Sequence, residues 1–211
     1  MVDVRKYPVL VLCGRDEKRR ELLEIHDPER KYPSKVLLPM LGKRVLDWQL
    51  EALLSSSHVK DVYLIGLSPV EYPTSNQNIH HIPINTTTTI LDKLTTGSQY
   101  ICELYPELLH IVISTGDAPA ITTKSIDHFF RELNQHESAD VMITGVPEDI
   151  TKEFFPDHGR IVGKFKEINI YPGEMFALRP GSLKTLNEVI TQLSARRLQF
   201  NRRLDTTKLG P

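Results

Sequence analysis

The chain has 211 residues, 40% of them hydrophobic and 25% charged, with a formal net charge of -1; this suits one globular domain with a sizeable core and excludes a general nucleic-acid binder built on basic excess. No stretch approaches the roughly 18 consecutive apolar residues of a membrane span. Two cysteines, Cys13 and Cys102, cannot build a disulfide framework, and the N-terminus lacks a signal-peptide core, so a reducing, cytoplasmic setting is expected.

Residues 8–13 (PVLVLC) read as a strand buried on both faces and ended by Gly14. Residues 15–31 are highly charged and contain Pro28; a short helix over 18–25 is expected there, in a stretch exposed as a whole. Leu46, Leu50, Leu53 and Leu54 fall at i, i+4, i+7 and i+8, a helix face after a turn at Gly42. Residues 59–66 form a second strand, 68–78 a loop and 80–84 a short third strand. Ile90, Leu94 and Ile101 mark a second helical stretch, interrupted at Gly97. The run 108–114 (LLHIVIS) reads as a fully buried strand. Ile126, Phe129, Phe130 and Leu133 line the next helix.

Residues 140–144, 160–166 and 174–178 read as further strands, the last beyond a Tyr171-Pro172-Gly173 turn. Leu183, Leu186, Val189, Ile190 and Leu193 give a late helix. The alternation predicts one α/β domain over 1–211, a three-layer, mostly parallel sheet with right-handed crossovers.

The string Thr115-Gly116-Asp117-Ala118-Pro119 follows the most buried-looking strand. In open α/β sheets, ligands bind where such strands end. A carboxylate there, beside a glycine that lets a ligand approach the backbone, suits Mg²⁺ and phosphate oxygens. A helix-capping Asp in an ordinary turn is the competing reading. Lys35, in Pro33-Ser34-Lys35-Val36-Leu37-Leu38-Pro39, is by default a solvated surface charge. His80 and His81 point to opposite faces of a strand and make no metal pair. Trp48 is expected to pack in the core and Cys13 to be a buried thiol. Asn85 and Thr86 belong to a Thr-rich stretch that either caps a helix or contacts a ligand.

Taken in order, these motifs resemble the molybdenum-cofactor guanylyltransferase-like nucleotidyltransferases, a branch of the sugar-nucleotide pyrophosphorylase superfamily. The matching parts are residues 9–14, Ser34-Lys35 with Leu37-Leu38-Pro39, Gly42 and its helix, the Gly-Asp-Ala-Pro string, and Pro172-Gly173-Glu174 through Arg179-Pro180. The resemblance covers about residues 8 to 195. It implies a nucleotide-diphospho-sugar transferase-like (Rossmann-like) fold. It also implies an attack by an acceptor's phosphate on the α-phosphorus of a nucleoside triphosphate, with pyrophosphate leaving.

Lys35 and Asp117 would then be catalytic. Leu12, Cys13, Gly14, Arg15, Lys35, Asn85, Thr86 and Gly116 would bind the nucleotide. Asp117 and Glu174 would hold Mg²⁺. The partners implied are a nucleoside triphosphate and a phosphorylated small-molecule acceptor. The chain departs from the family in having no second glycine between Gly14 and Gly42; Arg15, Arg19 or Arg20 would supply a guanidinium fork instead. The family continues past the late helix, so the sequence reads as a shortened member. Two other readings share the fold: a nucleotide sensor without catalysis, and a glycosyltransferase, which would not need the Lys35 segment.

Overall fold

A computed structural model describes residues 5–14, 21–85, 88–156 and 162–182. Its central strand is β1 (Tyr7–Leu12), all six residues of which are buried. In chain order there follow α1 (Glu21–His26), a 3-10 turn (Lys35–Leu37), the two-residue strands β2 (Pro39–Met40) and β3 (Lys43–Arg44), α2 (Val45–Leu54), β4 (Val59–Ile65), β5 (Ile79–Ile82), α3 (Ile90–Leu104) and β6 (Ile111–Thr115). Then come α4 (Thr123–Gln135), β7 (Val141–Pro147), α5 (Glu148–Phe154), β8 (Gly163–Lys164) and β9 (Asn169–Leu178).

Seven strands form one sheet in the order β5-β4-β1-β6-β9-β7, with β8 also on β9. β5, β4, β1 and β6 pair in parallel. β9 runs against β6, β7 and β8, so among the described strands of this sheet it alone is reversed. The mostly parallel α/β sheet expected from the sequence is therefore present.

β1 shows why its sequence has no apolar-polar alternation. Tyr7, Val9 and Val11 pack with Leu46, Leu50 and Leu53 of α2 and with Ile126, Phe129 and Phe130 of α4. Leu10 and Leu12 point the other way, into a second cluster with Leu94 and Ile101 of α3. A strand covered on both faces needs apolar residues at every position. The crossover helices β1-α2-β4 and β5-α3-β6 supply those two covers and leave the carboxyl ends of β1 and β6 side by side.

Several local expectations differ from the structure. α3 runs unbroken through Gly97, because Gly97 is where the helix meets β1: a Cβ there would stand 2.6 Å from Leu10 Cδ2. Pro172-Gly173 is not a turn but lies within β9. The register of β7 against β9 shifts between Ile143 and Gly145, and a Cβ on Gly173 would stand 2.2 Å from Thr144 Oγ1. An irregular, closely packed ladder accepts glycine and proline there.

The charged stretch before Lys35 is not wholly exposed: Leu23 and Asp27 are buried, and Asp27 accepts from the amides of Lys31 (2.9 Å) and Tyr32 (2.8 Å). Trp48 is only half-buried; its Nε1 donates to Met40 O at 2.9 Å, and the Lys43 ammonium lies over its ring. It braces the β2–β3 ribbon rather than filling the core. The buried run expected from residue 108 becomes strand only at Ile111. The late helix expected over 183–193, and residues 160 and 161 of the expected strand, lie outside the described residues.

Candidate functional site

The site is built where β1 and β6 end. Gly116 N donates to Leu12 O at 2.9 Å, continuing the ladder one step past β6. A Cβ on Gly116 would stand 2.8 Å from Cys13 Sγ and 2.9 Å from Leu12 O, so only glycine lets the two strand ends approach this closely. On the other side of Gly14, Ser34 Oγ donates to Gly14 O at 2.6 Å. That bond brings the Lys35–Leu37 turn over the strand ends. Val36 and Leu37 enter the core, at 2% and 4% exposure, and Lys35 is left facing the site.

There the Lys35 ammonium forms an ion pair with Asp117 Oδ2. Burial pushes the Asp117 carboxyl upward. The hydrogen bond and charge of Lys35 outweigh that, with help from the Thr115 hydroxyl, and hold it below the usual carboxylate range. Asp117 is therefore an anion at neutral pH. It does not cap the next helix: Thr122 does, accepting from Ser125 N at 3.2 Å. Of the two sequence readings of Asp117, the helix cap is the one this geometry removes for α4.

Gln49 was missing from the sequence reading. It is fully buried on α2. Its Nε2 donates to Ser114 Oγ at 2.7 Å and to Thr115 O, and its Oε1 accepts from Ala118 N at 3.2 Å. The available signal was a polar residue on an otherwise apolar face, at i+3 from Leu46 and one before Leu50. Buried amides are costly unless all their bonds are made, and here they fix a loop.

Glu174 arrives from β9, where Met175 pairs with Ser114. Its Oε2 accepts from Thr115 Oγ1 at 2.6 Å, and its carbonyl accepts from Ser114 Oγ at 3.2 Å. Asp117 and Glu174 line one cavity of about 400 Å³ with Phe129, Thr144 and Met175. Asp117 and Lys35 line a second, of about 410 Å³, with His26, Met40 and Val45. Asp117 and Pro119 are common to both cavities.

The strand ends thus bring together Gly14, Lys35, Gly116, Asp117 and Glu174. The side chains of Leu12 and Cys13 are buried, leaving only their backbone for a ligand. Burial pushes the Cys13 thiol far up, so it stays protonated. Asn85 is exposed in the loop after β5, its carbonyl accepting from Thr88 N at 3.2 Å. Arg15 and Thr86, along with Arg19 and Arg20, lie outside the described residues. His80 and His81 are engaged structurally: His80 Nε2 lies 3.2 Å from Asp61 Oδ1, and the His81 ring nitrogens lie on Leu67 O and Tyr72 O.

No group of three His, Cys, Asp or Glu side chains stands ready for a metal among the described residues. Two carboxylates on one cavity still fit Mg²⁺, which is commonly held by one or two carboxylates plus substrate phosphates and water. Among those residues, no helix is long and apolar enough to cross a membrane.

No known family profile matches the chain. Solved structures resemble it over most of its length. A hypothetical transferase from Thermus thermophilus superimposes with a TM-score of 0.66 over 93% of this chain and 77% of its own, at 20% identity. CMP:2-keto-3-deoxy-manno-octonic acid synthetase, solved with CTP, gives 0.57 over 93% of this chain and 86% of its own, at 15% identity. The fold is that of the nucleotide-diphospho-sugar transferases. In sequence, 46 residues are 41% identical to 2-C-methyl-D-erythritol 4-phosphate cytidylyltransferase of Trichodesmium erythraeum (strain IMS101). That stretch is 22% of this chain and spans only 20% of that enzyme. These likenesses show the wider fold; none of the three proteins is named as a molybdenum-cofactor enzyme.

Proposed function

We propose that the chain is a Mg²⁺-dependent nucleotidyltransferase that joins a nucleoside monophosphate unit from a triphosphate to a phosphorylated small molecule. The observation that carries this reading is the pair of cavities, each near 400 Å³, that share Asp117. Group transfer needs two ligands with their reacting atoms at one point, and a common wall provides it. An oxygen of the acceptor phosphate bonds to the α-phosphorus. The bond from that phosphorus to the bridging oxygen breaks, and pyrophosphate leaves with the electron pair.

Such a reaction asks the protein for alignment and charge compensation more than for a nucleophile. Lys35 would place a point charge against phosphate oxygens. Asp117 and Glu174 would hold Mg²⁺, which when bound neutralises the charge developing on the phosphate oxygens. Gln49 would keep the Asp117 loop from moving as charge builds. Gly14 and Gly116 would let the nucleotide approach the strand ends. The cytidine nucleotides named for two similar proteins make CTP the first triphosphate to test.

The test is a screen for pyrophosphate release, pairing CTP, GTP, UTP and ATP with sugar and polyol phosphates in the presence of Mg²⁺. Release that needs both partners, and that Asp117→Asn abolishes, supports the reading. Triphosphate binding with no release across the panel favours a sensor on the same fold.

A further inference from the structure

Among the described strands, β7 is the last at one end of the sheet and pairs only with β9. Ile143 stands opposite Phe176, which packs against the cluster that includes Leu94 and Ile101 of α3. Met142 packs on the other face, with the α2 and α4 cluster. Val141 and Ile143 therefore project on the α3 side. They are not covered there: their exposures are 42% and 57%. An antiparallel sheet with one solvated face usually keeps that face polar.

The connection from β8 to β9 extends the apolar surface. Phe165 N donates to Ile168 O at 3.0 Å, closing a tight turn with Lys166 and Glu167 at its tip. Phe165 and Ile168 are 56% and 50% exposed. The four turn residues, with Ile143 and Ile170, line a groove of about 440 Å³. Large apolar side chains gathered on one open groove mark a contact surface.

Three observations point to the occupant. First, the contact is made by the face and not by the strand edge. The register of β7 breaks between Ile143 and Gly145, and Pro147 ends the strand; both features hinder addition of a further strand. Second, the charged side chains of the groove are Lys166 and Glu167, adjacent, exposed and opposite in sign. A strongly acidic or basic partner would match one and oppose the other. A two-fold pair matches both, because a contact from residue i to residue j is repeated from j to i. Third, the turn lies at the start of β9, and the described chain leaves from the other end of that strand. Ile170 and Leu178 are eight residues of strand apart, about 27 Å. The continuation of the same chain beyond Ser182 thus starts far from the groove.

We propose that this face binds a second copy of the chain. Two copies pack about a two-fold axis, with Ile143, Phe165 and Ile168 of each against the other and Lys166 of one meeting the partner's Glu167. The association is independent of the reaction proposed above.

Sedimentation velocity on the full chain, from low to high micromolar concentration, tests it. Circular dichroism checks the fold of each variant. The wild type should shift from the mass of one chain to that of two. Ile143→Ser with Phe165→Ser should raise the dissociation constant about tenfold or more; Phe165→Ser alone, confined to the exposed turn, stands in if the double variant does not fold. Lys166→Glu should weaken the pair by setting carboxylates against carboxylates, and adding Glu167→Lys should restore it by exchanging the two roles. A wild type that stays one chain at every concentration overturns the proposal and assigns the face to another part of the same chain or to a different protein. Dimers unaffected by Phe165→Ser overturn it by placing the contact elsewhere. A charge-swapped variant as weak as Lys166→Glu overturns the two-fold arrangement, as do assemblies that grow beyond two chains.

Discussion

Gln49 grips the chain on both sides of Asp117. Its amide nitrogen holds Thr115 O before the carboxylate, and its amide oxygen takes Ala118 N after it. The position of Asp117 is thus set from a helix on one face of the sheet and not by the loop alone. Gln49→Leu keeps the volume and leaves Thr115 O and Ala118 N without these partners. A buried polar group left unpaired costs about 1–3 kcal/mol, so the urea midpoint should fall measurably. Pyrophosphate release should fall further than stability accounts for at a temperature where the variant is fully folded. A variant as stable as wild type would show that the clamp contributes nothing to folding.

Gly97 gives a prediction opposite in sign to helix propensity. In an exposed helix, Gly→Ala gains about 1 kcal/mol. Here the new methyl would lie 2.6 and 2.7 Å from the two methyl carbons of Leu10, which is fully buried and cannot swing away. Overpacking of this kind costs about 1–3 kcal/mol. Gly97→Ala should therefore lower the thermal midpoint. Combined with Leu10→Ala, its cost should be much reduced or reversed, since the added methyl then fills part of the cavity. Simple additivity of the two single changes would rule out this contact as the cause.

The same contrast shows what the sequence could reveal. The apolar runs of β1 and β6, and the helical spacing of Leu46-Leu50-Leu53 and of Ile126-Phe129-Phe130-Leu133, each carry their own period, so order and layering were legible. Asp117 was conspicuous because it ends a buried run. Gly97 was misread as an interruption because its reason is a residue 87 positions away in the chain, Leu10. Pro172-Gly173 was misread as a turn because the irregular pairing of β7 against β9 is invisible without the partner strand. Gln49 was passed over since a single polar residue on a helix face has no meaning until its three partners, all beyond residue 113, are placed beside it.

Acid should weaken the molecule mainly through Asp47, with Asp117 contributing little because its pair with Lys35 is open to solvent. Burial pushes Asp47 up, but the side chain and amide of Arg44 and the hydroxyl of Tyr72 outweigh it and hold its pKa below the usual range. Asp117 is held low in the same way by Lys35 and Thr115. A carboxyl depressed in the folded state contributes stability that is present above its unfolded value and is lost as pH falls through the folded one. Urea midpoints should thus be flat near neutrality and drop below about pH 4, the region of the unfolded carboxylate. Asp47→Asn should lower the neutral plateau and flatten the acid limb. An unchanged acid limb in that variant would place the sensitivity elsewhere.

The Lys35–Asp117 pair separates function from stability. Both side chains are about a third exposed, at 33% and 32%. Pairs so open to solvent typically contribute about 0–1 kcal/mol. Asp117→Asn and Lys35→Ala should each leave the thermal midpoint nearly in place. On the proposed reading, their effect on turnover should be far larger, about two orders of magnitude or more, because each would remove a charge aligned with the reacting phosphates. Lys35→Arg should recover only part of the loss, since a planar fork cannot reproduce a point charge at the same reach. The variants also differ in how they respond to Mg²⁺. If Asp117 holds Mg²⁺ as proposed, Asp117→Asn loses an oxygen anion for the metal, so raising Mg²⁺ should recover some activity. Lys35→Ala would lose the cation proposed to meet phosphate, so extra metal should help less while extra triphosphate helps more. Pyrophosphate release measured across a grid of Mg²⁺ and triphosphate concentrations reads both responses. Identical profiles for the two variants would mean that the pair acts only as a structural tie between the 3-10 turn and the end of β6.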